Sequence, residues 1–355
     1  EKMEEKKRLI YPDLLRIISI FSVLVLHAVG EIWGDIPIQS KSWVALVAID
    51  GMFRFAVPVF IMVSGMFMLS PQKDRGIKEL YSKKVLRIIT AFIFWSLVYT
   101  FFHLASGFVT EGVSFKPDFQ LTVNRFLLGE YHLWFMYMIA GLYIVTPLLR
   151  KIVEKKSTMQ YFIFIWFIFC IVANFTGLIP VIGNKIYGFI DLFKISIAVQ
   201  YSGYYVLGYY LHNYTVKKPI KAAVYFLAIL GTLGIVGMTV FTSFRSGETV
   251  SKYLGYLLPM TAFQSAALFL FFRDKFENFN PSKKVKKAIF ILSKISFGIY
   301  LSHILVMKAV EKFCHMFLPL PPYALFGALL ISAAVISSLI SYLLNRIPGA
   351  SKYIV

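Results

Sequence analysis

The sequence predicts an all-α, polytopic membrane protein of about ten transmembrane helices, with both termini in the cytosol. Three observations carry this reading. Hydrophobic residues make up 58% of the 355-residue chain and charged residues only 15%, against about 25% charged in soluble domains. Apolar runs of roughly 20 residues, long enough to cross a bilayer core as helices, recur along the whole length. Lys and Arg gather in every second loop between those runs, the asymmetry that sets orientation. Basic loops on one side of a membrane also account for the formal net charge of +19, so no nucleic-acid partner is invoked. Cys170 and Cys314 form no ligand or redox spacing and read as packing residues, and no metal site is expected.

The runs fall near 12–33, 43–70, 80–104, 131–150, 158–180, 188–213, 219–243, 252–273, 287–312 and 321–346. Basic residues precede the first run (Lys6, Lys7, Arg8) and separate the second from the third (Lys73, Arg75, Lys78, Lys83, Lys84). They follow the fourth (Arg150, Lys151, Lys155, Lys156), the sixth (Lys217, Lys218, Lys221) and the eighth (Arg273, Lys275, Lys283, Lys284, Lys286, Lys287). The alternate loops, 34–42, 105–130, 181–187, 244–251 and 313–320, are poor in Lys and Arg. The segment before the first run reads as a cytosolic leader, with no cleavable signal. No internal repeat or linker divides the chain, so residues 1–355 read as one domain.

The first run carries Asp13, Arg16, His27 and Glu31. Arg16 and His27 are eleven positions apart, which on a helix is about 20° around the axis and about 16 Å along it. Asp13 and Glu31 fall within roughly 60° of the same line. A charge at bilayer depth costs at least ~2.5 kcal/mol on insertion scales, so this stripe should face protein or a wet cavity. The plainer reading puts Asp13 and Glu31 at the interfaces and lets Arg16 snorkel, which leaves His27 without an explanation. In the second run Asp50 and Arg54 form an i,i+4 pair just ahead of Pro58, compatible with a structural ion pair beside a kink or with a functional one. The third opens on Lys84 and Arg87, which either snorkel or, with Arg16, clamp phosphate oxygens.

The loop 105–130 is the longest outward-facing one and leads into Glu130-Tyr-His132-Leu-Trp134-Phe-Met-Tyr137. Those aromatics suit either an interfacial belt or the mouth of a sugar-binding cavity. The tyrosines around Tyr201 in the sixth run read as packing, while Asp191 and Lys194 interrupt it. In the ninth, Tyr300 and His303 are three apart and can share a face. His103 lies near an outer edge, and His212 and His315 read as loop residues without assigned roles.

The order of these features resembles the acyltransferase-3 family of integral-membrane acyltransferases, in its single-domain form without a fused extracytoplasmic domain. The matching pieces are Asp13-Leu-Leu-Arg16 with His27, then Arg54 with Val57-Pro-Val-Phe-Ile-Met-Val-Ser-Gly65, and Lys84-Val-Leu-Arg87. His132-Leu-Trp-Phe-Met-Tyr137 with Gly141-Leu-Tyr-Ile-Val-Thr-Pro147 and Ser296-Phe-Gly-Ile-Tyr-Leu-Ser-His303 complete the series. The resemblance implies transfer of an acyl group, acetyl or succinyl, from cytosolic acyl-CoA, with acetyl-CoA the expected donor. The acceptor would be a hydroxyl of a cell-surface glycan or lipid-linked saccharide. It implies an essential role for Arg16 and His27 and donor handling by Arg87 and Lys84, the latter standing where the family has arginine.

Acyl transfer to an alcohol needs a base near neutral pH, and His27, with Glu31 one turn beyond, is the expected catalytic pair. Glu130, His132, Trp134, Tyr300 and His303 are expected on the acceptor side, and Asp13, Asp50 and Arg54 as structural polar residues. The expected partners are membrane lipid, acyl-CoA and the saccharide acceptor, with a homodimer as an admissible assembly. The expected place is a bacterial cytoplasmic membrane, spanned many times. A transporter or flippase of a polar substrate is the competing class, since carriers also bury His, Asp and Arg in their spans; no inverted repeat supports it.

Overall fold

A computed structural model describes residues 8–71, 76–112, 117–180 and 182–355. Lys6, Lys7, Lys73, Arg75 and Lys116 lie outside the described residues. Among those described, the regular structure is helical throughout, with no strand, and nine stretches are long and apolar enough to cross a membrane. The protein is an all-α polytopic membrane protein. In chain order the helices begin with α1 (Tyr11–Ile32), α2 (Lys41–Phe53), α3 (Ala56–Met68), α4 (Gly76–Glu79), α5 (Leu86–Glu111), α6 (Phe119–Leu128) and α7 (Trp134–Val153). There follow α8 (Lys156–Trp166), α9 (Ala173–Thr176), α10 (Gly183–Asp191), α11 (Ile195–Val199) and α12 (Ser202–Asn213). The last are α13 (Lys218–Ser246), α14 (Pro259–Phe276), α15 (Lys283–Phe317), α16 (Pro322–Leu344) and α17 (Pro348–Tyr353).

Nine of the ten apolar runs are matched by these stretches. The exception is 188–213, which is not one long helix but α10, α11 and α12 in succession. The chain breaks at Lys194, whose backbone is left-handed at φ +54° and whose ammonium pairs with Asp191. A non-glycine residue in that region is unfavourable in a helix, so α10 stops there. The stretch 105–130, read as a loop, is mostly helix. α5 continues to Glu111, and Asp118 caps α6 by accepting the Leu121 N–H at 2.8 Å. α6 closes at Gly129, whose φ of +74° favours glycine. His212 and His315, read as loop residues, lie in α12 and α15. Arg273, counted as a loop cation, lies in α14 at 5% exposure and donates to the carbonyls of Leu211 and Tyr214. Cys170 and Cys314 are buried and unbonded, as expected of packing residues.

The chain divides into two compact units, interleaved in sequence. One comprises Glu1–Ser70 and Ile152–Lys294, the other Pro71–Lys151 and Ile295–Val355. In the first, α3 and α12 meet backbone to backbone. A Cβ placed on Gly65 would fall on the Tyr205 carbonyl, and one placed on Gly208 on the Met62 carbonyl. Such reciprocal small-residue contacts let membrane helices approach closely where lipid offers no hydrophobic drive. α1 packs against α3 and α14 there, with Tyr11 edge-on to Phe269 and its hydroxyl 2.5 Å from His212 Nδ1. In the second unit, α5 and α15 are joined by buried hydrogen bonds, and α16 is tied to α15 by Ser341 Oγ donating to the Ile295 carbonyl at 2.8 Å.

Candidate active site

The polar stripe of α1 is intact. The helix runs unbroken past Arg16, His27 and Glu31, and all three side chains are half-buried. Continuity keeps the spacing of Arg16 and His27 at about 16 Å along the axis. Asp13, at 4% exposure, lies at the N-terminal end of this stripe. It accepts from Arg8 Nε at 2.9 Å and Nη2 at 3.0 Å, and from Ser293 Oγ at 2.7 Å. Arg16 Nη1 is 3.6 Å from the same carboxylate, with its guanidinium 4.8 Å above the Phe67 ring. A buried carboxylate with three donors is well compensated. Asp13 thus hydrogen-bonds Arg8 and Ser293 and keeps Arg16 within ion-pair distance.

Asp50 and Arg54 form the expected ion pair in the last turn of α2, where the helix breaks before α3. Asp50 is 2% exposed. Arg54 stands 5.7 Å from the Tyr256 ring. The backbone carbonyl of Gly51 in the same turn is taken by Gln264 Nε2 at 2.9 Å, as the satisfaction of buried backbone in a membrane helix requires.

The second unit contains the other predicted residues. Lys84 is exposed, on a wide π turn (Leu80–Val85) that precedes α5. Arg87, one residue into α5, is half-buried and donates through Nη2 to the Val355 carbonyl. Glu130 is held between His103 Nε2 at 2.7 Å and Lys308 Nζ at 3.1 Å. Trp134 is partly exposed in the first turn of α7. His132 and His303 are both buried, their ring centroids 5.1 Å apart. His303 Nδ1 lies 2.6 Å from the Tyr300 carbonyl. A carbonyl only accepts, so Nδ1 carries a proton. The Tyr300 hydroxyl donates to the His132 carbonyl at 2.5 Å. All five residues predicted for the acceptor side, Glu130, His132, Trp134, Tyr300 and His303, thus lie in one unit.

Tyr99 was not singled out by sequence and is central to this cluster. Its hydroxyl donates to the Leu301 carbonyl at 2.9 Å, accepts the Leu305 N–H at 3.1 Å and stands 3.5 Å from His132 Nε2. Leu301 and Leu305 are partners in the ladder of α15, so the hydroxyl bridges one rung of the turn that carries His303. Nothing in the local sequence marks this tyrosine among the aromatics of its run. Ser293 and Phe67, which meet Asp13 and Arg16, are equally unmarked, because their relevance comes from helices distant in sequence.

An acyltransferase-domain family model matches residues 9–343, nearly the whole chain. An amino-acid racemase of Enterococcus faecalis is 28% identical over 340 residues, which is 90% of this chain and 44% of that protein. The chain thus spans less than half the length of that curated relative. No solved structure matches. With the family model covering both units and every motif described above, the chain belongs to the acyltransferase-3 family.

Proposed function

We propose that the protein transfers an acyl group, acetyl or succinyl, from acyl-CoA to a hydroxyl of a cell-surface glycan or lipid-linked saccharide. The observation that carries this reading is the family match together with Arg16 and His27 on one unbroken, half-buried helix. His27 is assigned as the base. The acceptor oxygen attacks the thioester carbonyl while its proton passes to His27 Nδ1 or Nε2, forming a tetrahedral oxyanion. Collapse breaks the C–S bond, and the imidazolium returns the proton to the departing thiolate. Glu31, one turn on, is assigned to orient His27 and to offset the charge of the imidazolium.

Arg16, beside Asp13 and Phe67, is assigned to donor phosphates, for which a planar guanidinium fork is suited. Arg87 and Lys84 are assigned to the same class of contact. Glu130, His132, Trp134, Tyr300 and His303 are assigned to the acceptor. The racemase's name describes a protein of which this chain covers under half, and no racemisation is assigned here.

The test is purified protein with acetyl-CoA or succinyl-CoA and a panel of saccharide acceptors, read by mass spectrometry of the acceptor and by release of free thiol. Stoichiometric acylation and thiol release are expected. Uptake of a polar substrate by sealed vesicles, with no acylation, would instead support a carrier.

A further inference from the structure

The segment Pro348–Val355 lies along one side of α5, and three consecutive carbonyls of it are held by side chains of that helix. Thr90 Oγ1 has the Tyr353 carbonyl as its nearest acceptor at 2.7 Å, ahead of the Leu86 and Arg87 carbonyls of its own helix at 2.9 and 3.1 Å, while Trp95 Nε1 donates to the Ile354 carbonyl at 3.1 Å and Arg87 Nη2 to the Val355 carbonyl. Val355 is 1% exposed and Ala350 6%. Gly298 of α15 makes room for the segment, since a Cβ there would lie 3.2 Å from Val355 Cγ1 and would overlap Ser341 Oγ. This is a built contact of polar and apolar parts together.

Arg87 is restrained twice by it. The Val355 carbonyl holds one nitrogen of the fork, and the Phe297 ring lies 5.5 Å from the guanidinium carbon. An arginine side chain otherwise samples many rotamers, and fixing it costs entropy each time a ligand binds. Among the described residues the Nε of Arg87 is buried and has no hydrogen-bond partner. A buried donor left in that state is costly, and an acceptor supplied by a ligand relieves it.

We infer that the segment Pro348–Val355 is part of the donor site, a strap whose carbonyls hold Arg87 so that its Nε–H meets a phosphate oxygen of the donor. The inference rests on the assignment of Arg87 to donor phosphates and adds the element that positions it. Thr90 and Trp95 are then positioning residues. They touch neither donor nor acceptor, and act by holding the strap against α5.

The experiment compares KM and kcat for acetyl-CoA and for a short acetyl-pantetheine thioester, which lacks the nucleotide phosphates. The variants are Thr90→Val, Trp95→Phe, the double variant, Thr90→Ser and Arg87→Ala. Expected is a rise of about tenfold in KM for acetyl-CoA in the double variant, the order of one charge-assisted hydrogen bond. Its kcat, and both constants for the pantetheine thioester, should stay within about twofold. Thr90→Ser, which keeps the hydroxyl, should behave as the parent. Should the double variant fail to fold, Thr90→Val alone carries the test with a smaller rise of the same selectivity. If Arg87→Ala selectively weakens acetyl-CoA while the Thr90 and Trp95 variants do not, the strap is overturned and the donor assignment stands. If Arg87→Ala affects both donors equally, the donor assignment falls and the strap falls with it.

Discussion

At the scale of single residues, the chemistry assigned to His27 depends on one half-buried imidazole of α1. Its neighbours Leu26, Ala28 and Val29 are buried, and they carry the apolar contacts of that turn. His27→Ala should therefore abolish acyl transfer while shifting thermal unfolding in detergent by no more than the equivalent of about 1 kcal/mol, as for a partly exposed truncation. Transfer within a few-fold of the parent would remove His27 from the mechanism. Asp13 is the opposite case. Losing its carboxylate would remove the acceptor shared by Arg8, Arg16 and Ser293, a measurable destabilisation that solvent at the partly exposed arginines keeps below that of a fully buried pair.

At the scale of elements, two helices illustrate how function and packing separate. On α1, Arg16→Ala should raise KM for acyl-CoA more than for a pantetheine thioester, because only the former presents nucleotide phosphates. Equal losses, measured by steady-state kinetics with both donors, would make Arg16 structural. On α12, Gly208→Leu should destabilise the protein by about 1–3 kcal/mol or more, since the side chain would be driven onto the Met62 carbonyl of α3. The readout is thermal unfolding of detergent-purified protein. An unchanged transition would mean that the close approach of α3 and α12 is not maintained in the membrane. Gly65 and Gly208 are visible in the sequence, yet only as two glycines among 22. Their pairing exists because α3 and α12, far apart in the chain, share one interface.

At the scale of the whole molecule, the alternation of basic and non-basic loops predicts sidedness. Arg16, Lys84 and Arg87 lie near the ends of apolar runs next to basic segments, the side proposed to receive acyl-CoA. Span one then carries His27 some 22 Å beyond its inner end, at about 1.5 Å per residue. Transfer in vesicles of defined orientation should require labelled acyl-CoA on the side of the Lys- and Arg-rich loops and an impermeant acceptor on the other. Efficient transfer with both substrates confined to the basic-loop side would falsify that arrangement while leaving the reaction class untouched.

Sequence alone was sufficient for the all-α membrane class, for nine of the spans, for the family, and for the Asp50–Arg54 pair. Each of these depends on composition, run length, motif order or an i,i+4 spacing, which are local quantities. The sixth run failed because its mean apolarity looks helical, whereas a left-handed Lys194 is a backbone conformation that apolarity does not report. The charge of Arg273 counted it correctly as basic and wrongly as a loop residue, since its burial is set by carbonyls of Leu211 and Tyr214 that only folding brings near. The same holds for Tyr99 in the ladder of α15, for Ser293 on Asp13, and for the strap on Arg87. A single helix periodicity orders side chains around one axis. Which distant carbonyl or ring then meets them is decided by how helices far apart in sequence pack, and that was settled by the tertiary structure.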